Sequence, residues 1–195
     1  MRIKEKPNGR YGLMNTANKL TLFRVVLVPV FMALLLIDNF ACQMAALGVF
    51  VIASLTDMLD GQIARKRNQI TTFGKFMDPL ADKVLTTAAF VIFLEKGIIN
   101  SWALMIILAR EFMVAGVRLC AVGEGKVVAA SFWGKFKTVS QMAAIIASIL
   151  ILNIPIVPTS AAQIISAVLV WISIVFTVIS GVEYLIQNWK LMKLK

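Results

Sequence analysis

Six apolar runs, each long enough to cross a bilayer as a helix, alternate with short polar breaks along the chain. They cover about residues 20–37, 41–64, 75–95, 101–121, 134–152 and 161–187. A helix needs roughly 20 apolar residues to traverse the hydrocarbon core, so each run predicts one spanning helix. Asp38-Asn39 separates the first two runs; Lys96-Gly97 with Asn100-Ser101 separates the third and fourth. The prolines of Asn153-Ile-Pro-Ile-Val-Pro-Thr-Ser160 separate the last two. Residues 1–19 are polar and basic and predict a cytoplasmic or interfacial N-terminal segment. The apolar run after them is too long for a secretory signal, and no small-residue cleavage site follows it.

Composition agrees with the pattern. The chain of 195 residues is 59% hydrophobic, with a mean hydropathy of +0.85. The expectation is an all-α integral membrane protein: a six-transmembrane-helix bundle forming one domain over residues 1–195. The formal charge is +10, and its distribution is uneven. Arg2, Lys4, Lys6, Arg10, Lys19 and Arg24 lie before or at the start of the first run. Arg65, Lys66, Arg67 and Lys75 lie in or beside the connection of runs two and three; Arg118, Lys126, Lys135 and Lys137 lie in or beside the connection of runs four and five. Lys190, Lys193 and Lys195 end the chain, and the three opposite loops carry only Lys96. The positive-inside rule then puts both termini in the cytoplasm, in a multi-pass cell-membrane protein. Attraction to anionic lipid or to a phosphorylated substrate is a second meaning of the same charge. So apolar a chain is no nucleic-acid binder. The tryptophans, Trp102, Trp133, Trp171 and Trp189, lie mostly near span ends and suit interface anchoring.

The chain has no histidine, which excludes a His-ligated metal and an imidazole base. Cys42 and Cys120 match no zinc or redox spacing and fall near opposite membrane faces, which argues against a disulfide.

Four of the five aspartates, Asp57, Asp60, Asp78 and Asp82, fall within 26 residues at the cytoplasmic ends of spans two and three. Carboxylates in apolar segments are costly and therefore functional by default. Asp57 and Asp60 share a helical face, continued by Gly61 and Ala64; Gly74, Asp78 and Asp82 follow at i+4 spacing. An all-oxygen donor set suits Mg²⁺ or Mn²⁺, and four acids suit two ions about 4 Å apart, able to hold phosphoryl oxygens. The small residues either leave room for a ligand against the backbone or serve close helix packing. Arg65 either marks the cytoplasmic side or reaches a phosphate.

These residues read D-x-x-D-G-x-x-A-R-(x)8-G-x-x-x-D-x-x-x-D without a mismatch. The pattern resembles that of the CDP-alcohol phosphotransferases. Asn18-Lys-Leu-Thr21-Leu-Phe-Arg24 is similar to the family's N-terminal element. Asp-Pro-Leu-Ala-Asp-Lys and Arg110-Glu111-Phe112 resemble in particular the bacterial members that make phosphatidylglycerophosphate. The resemblance implies transfer of a phosphatidyl group from CDP-diacylglycerol to glycerol 3-phosphate, with release of CMP, in phospholipid biosynthesis. It implies two divalent cations held by Asp57, Asp60, Asp78 and Asp82, with Asp82 also the general base. It places Asn18, Thr21, Gly61, Ala64, Arg65 and Gly74 around the CDP donor. It further implies an active site facing the cytoplasm, and a homodimer.

The acceptor would need cations for its phosphate. Arg118, Lys135 and Lys137 lie on the cytoplasmic side, and Arg110 is a weaker candidate because it has Glu111 beside it and could form a structural ion pair. Lys135 and Lys137 are two apart and cannot share a helical face. Within the family, inositol phosphate, serine or a lipid alcohol are alternative acceptors. Outside it, an intramembrane prenyltransferase is disfavoured by the closeness of the two acid pairs. A divalent-cation transporter is disfavoured because the acids cluster near one face.

Overall fold

A computed structural model describes the backbone of residues 16–66, 72–123 and 131–192, and the side chains of residues 23–56, 83–121 and 131–189. Six helices account for nearly all of it: α1 Thr16–Leu36, α2 Phe40–Lys66, α3 Thr72–Glu95, α4 Ser101–Gly123, α5 Phe132–Leu152 and α6 Thr159–Met192. Each predicted apolar run lies inside one helix to within a residue. The helices overrun most of the runs, most at the end of α6, where the polar and basic residues past 187 continue the helix.

The helix ends follow local chemistry. Gly97 has φ +69°, the left-handed conformation that a glycine adopts without strain. Its N–H donates to the Leu94 carbonyl (3.0 Å), and the Ile98 N–H donates to the Phe93 carbonyl (2.8 Å), a Schellman closure of α3. Ser131 caps α5, accepting from the Gly134 N–H at 3.0 Å. Asn39 does the same for α2, accepting from the Ala41 N–H at 2.8 Å.

The α1–α2, α3–α4 and α5–α6 turns meet at one end of the bundle. Lys96 bridges to Asp38 at 2.6 Å, and Asn153 Nδ2 donates to Gln43 Oε1 at 2.7 Å. A cavity of about 540 Å³ opens there, lined by Asp38, Gln43, Glu95, Lys96, Thr159 and Gln163 among others. The opposite end carries the C-terminal half of α2 and the N-terminal half of α3, and thus the whole acid motif.

The main packing is α1 against α2 and α3, and α6 against α4 and α5. The two halves join through α2, α3 and α5, around a core of Phe31, Phe50, Phe90, Phe93, Ile145, Ile149 and Val170. A smaller cluster of Val114, Val117 and Tyr184 ties α4 to α6 nearer the motif end. Among the described residues, α5 and α6 (Phe132–Leu152 and Thr159–Trp189) are long and apolar enough to cross a membrane. Large apolar side chains such as Trp102, Phe112, Leu119, Val139 and Ile186 face outward along the bundle. Cys42 and Cys120 are both free and lie on different helices, near the start of α2 and the end of α4.

Candidate functional site

Next to the motif end, three helices place charged side chains in an otherwise apolar interior, a fourth adds a serine, and Glu111 of α4 is the hub. Its carboxylate accepts from Lys137 Nζ of α5 in a close contact. It also lies 3.3 Å from Lys83 Nζ of α3 and 3.4 Å from Arg110 Nη1, its neighbour on α4. Arg110 reaches the other way to α6, where Nη2 donates to Ser180 Oγ at 2.6 Å. Among the described residues, this carboxylate faces three cations.

Two glycines lie beside Arg110. A methyl group at Gly181 of α6 would sit 3.1 Å from Arg110 Cγ and 3.4 Å from Met113 Cε. The aliphatic stem of Arg110 therefore lies against backbone on α6, and a side chain there would crowd it. A methyl group at Gly134 of α5 would sit 3.3 Å from Ser131 Oγ but in ordinary contact, 3.8 Å, with Arg110 Nη2.

The predicted acceptor residues separate in this arrangement. Lys137 is buried, whereas Lys135, two residues earlier, is exposed, as helical geometry requires. Arg110, the weaker candidate by sequence, is built into the network together with Lys137. Arg118 lies at the surface of α4, with its guanidinium carbon 6.0 Å from the centre of the Tyr184 ring. The structure adds residues that the sequence reading did not single out: Lys83, Ser180 and Tyr184. Lys83 had a signal, since it directly follows Asp82. The α6 pair had none, because its relation to α4 exists only through packing.

The helix bounds put Asp57, Asp60, Gly61, Ala64 and Arg65 in the last turns of α2, and Gly74, Asp78 and Asp82 in the first half of α3. Asn18 and Thr21 fall in the first turns of α1. The side chains of all ten lie outside the described residues. The chemistry of the donor set still bears on a metal: four carboxylates, with no histidine in the chain, fit hard divalent cations such as Mg²⁺ or Mn²⁺. Asp82 is joined to the Glu111 cluster through the chain itself, since Lys83 is the next residue.

An apolar groove of about 350 Å³ runs from this cluster between α1, α3 and α4. Lys83 and Glu111 stand on its wall, with Val28, Met32, Val91 and Phe112 along its length. A charged site that opens into an apolar groove suits a molecule with a polar head and a hydrocarbon tail.

The comparisons with known proteins agree with this chemistry. The family model described as CDP-alcohol phosphatidyltransferase matches residues 14–179. A Bacillus subtilis protein named CDP-diacylglycerol–glycerol-3-phosphate 3-phosphatidyltransferase is 40% identical over 193 residues, covering 93% of this chain and 98% of its own. A Rickettsia typhi protein of the same name is 37% identical over 172 residues, covering 88% and 96%. A Mycobacterium tuberculosis protein named probable phosphatidylglycerophosphate synthase is 38% identical over 180 residues, covering 90% and 82%. The crystal structure of Mycobacterium tuberculosis phosphatidylinositol phosphate synthase with CDP-DAG bound matches with a TM-score of 0.62 at 20% identity, over 94% of this chain and 92% of that one. That last likeness shows a shared fold. The family model covers most of the chain and the relatives match it nearly end to end: the chain belongs to the CDP-alcohol phosphatidyltransferase family and is a transferase enzyme.

Proposed function

We propose that this transferase moves the phosphatidyl group of CDP-diacylglycerol to glycerol 3-phosphate, giving phosphatidylglycerophosphate and CMP. The names of its relatives support the substrates. The observation that carries the acceptor is the gathering of Lys83, Arg110 and Lys137 at Glu111, with Lys83 next in the chain to Asp82. Cations placed beside the acid motif suit a phosphate, and glycerol 3-phosphate brings one whereas free inositol or serine does not.

The acceptor hydroxyl attacks the phosphorus that carries the lipid, and the bond from that phosphorus to the CMP oxygen breaks. Asp82 takes the hydroxyl proton; with no histidine in the chain, a carboxylate is the natural base. Asp57, Asp60, Asp78 and Asp82 would hold two divalent cations, Mg²⁺ or Mn²⁺. Such ions, when bound, draw charge from the donor phosphates and make the phosphorus electrophilic. Asn18, Thr21, Gly61, Ala64, Arg65 and Gly74 line the donor side, and Arg118 and Lys135 guide the acceptor to Arg110 and Lys137. The lipid tails leave sideways along apolar grooves.

This reading goes with a single membrane domain of six spans over residues 1–195. Both termini and the active site face the cytoplasm, and the assembly is a homodimer. Asp82→Asn tests the chemistry. It should abolish turnover while CDP-lipid binding and folding persist, and removal of divalent metal by chelation should stop the reaction. Normal turnover by Asp82→Asn contradicts the assignment of the base.

A further inference from the structure

The cavity of about 540 Å³ lies at the end of the bundle away from the acid motif, where the α1–α2, α3–α4 and α5–α6 turns meet. Its size falls within the range of about 300–1,000 Å³ that small-molecule sites occupy. Its wall is built rather than open. Lys96 Nζ is held 2.6 Å from Asp38, and Gln43 is held at both ends of its amide. Gln43 Nε2 donates to Asp38 Oδ1 at 3.4 Å, and its Oε1 accepts from Asn153 at 2.7 Å. The floor is apolar and buried: Leu35, Phe93 and Ile149 belong to the central core and also face the cavity. An occupant therefore has a polar part against the turns and a hydrocarbon part toward the middle of the bundle.

The charge of the wall gives the sign of the polar part. The chain carries 20 basic and 10 acidic residues, yet the three turns (37–39, 95–100 and 153–158) carry two acids, Asp38 and Glu95, and one base, Lys96. Lys96 is engaged by Asp38. Glu95 has no ion-pair or hydrogen-bond partner among the described residues and lines the same cavity. It is also the last residue of α3, where the helix dipole disfavours a carboxylate. One free carboxylate is too few for a metal ion, which takes several oxygen ligands. It is enough for an ammonium group, which a carboxylate binds by charge-assisted hydrogen bonds.

We propose that this cavity binds the ammonium-bearing head group of a phospholipid, with Glu95 as its counter-ion. The hydrocarbon lies over Leu35, Phe93 and Ile149, and Gln163 and Thr159 of α6 close the side. The site is separate from the acid motif and lies in the opposite leaflet, which rests on the six-span reading proposed above.

The test is native mass spectrometry of the purified full chain, titrated with phosphatidylethanolamine and with phosphatidylglycerol of the same acyl chains. The wild-type protein should take up phosphatidylethanolamine at one saturable site that phosphatidylglycerol does not fill. Glu95→Gln should weaken that binding about tenfold, the lower end for a hydrogen bond to a charged group. CMP release should stay unchanged. Gln163→Phe, which fills the cavity and leaves Glu95 in place, should also abolish the selective binding. Equal binding of the two lipids overturns the proposal, as does selective binding that survives both substitutions. Free ethanolamine that binds as tightly, and with the same dependence on Glu95, overturns the lipid as the occupant. The spans are judged on the wild-type chain alone: release from membranes without detergent overturns the six-span reading, and the lipid site with it.

Discussion

Glu111→Gln is the substitution that most directly probes the charge cluster. The change keeps the shape of the side chain and removes the negative charge that Lys83, Arg110 and Lys137 share. The three arms differ in burial. The side chains of Lys137, Arg110 and Glu111 are 7%, 11% and 12% exposed, whereas that of Lys83 is 34% exposed. Removing one partner of a buried pair costs about 3–5 kcal/mol, because the remaining charge stays out of water. A pair with one partner near solvent contributes about 0–1 kcal/mol. The loss should therefore come mainly from the Lys137 and Arg110 arms. At about 2–4 °C per kcal/mol for a chain of this length, Glu111→Gln should lower the thermal midpoint by about 6–20 °C. Tryptophan fluorescence of the reconstituted protein during heating measures this. Double-mutant cycles of Glu111→Gln with Lys137→Met and with Lys83→Met then apportion the loss. The Lys137 cycle should give a coupling of about 1–3 kcal/mol and the Lys83 cycle a smaller one. A Glu111→Gln protein that melts within about 1 °C of wild type, or a Lys83 coupling larger than that of Lys137, refutes the reasoning.

Gly181→Ala places a methyl group 3.1 Å from Arg110 Cγ. The resulting crowding should cost about 1–3 kcal/mol and weaken use of the acceptor, seen as a raised KM for glycerol 3-phosphate with CDP-lipid binding kept. Ser131→Ala removes the cap of α5, whose first turn carries Gly134 and Lys135. It should lower stability by about 1 kcal/mol, or about 2–4 °C in the thermal midpoint.

The six helices were legible because their ends are written in local chemistry. Asp38-Asn39, Lys96-Gly97 and the two prolines after Asn153 stop apolar runs that have no other breaks of comparable strength. Gly97 shows why: its left-handed backbone closes α3 wherever the rest of the chain goes. The acid motif was legible because both pairs repeat at helical spacing over a short stretch. The charge cluster around Glu111 was legible only in part. Lys137 and Glu111 are 26 residues apart, and Arg110 and Ser180 are 70 apart. No periodicity encodes which faces of α4, α5 and α6 turn to one another. Sequence ranked Arg118 highest because it lies inside an apolar segment, and Arg110 lower because Glu111 stands beside it; packing instead puts Arg110 inside and leaves Arg118 at the surface over Tyr184. The burial of the Tyr184 hydroxyl, without a hydrogen-bond partner among the described residues, is likewise a property of packing. Nothing in the run Ser180-Gly-Val-Glu-Tyr184 marks it.

The most direct measurement is release of labelled CMP from CDP-diacylglycerol by the purified protein, with and without glycerol 3-phosphate, at saturating Mg²⁺. The account predicts release that depends on glycerol 3-phosphate, with phosphatidylglycerophosphate formed in equal amount and with free inositol and serine inactive. Release that ignores glycerol 3-phosphate, or that proceeds equally well with an uncharged alcohol, contradicts it.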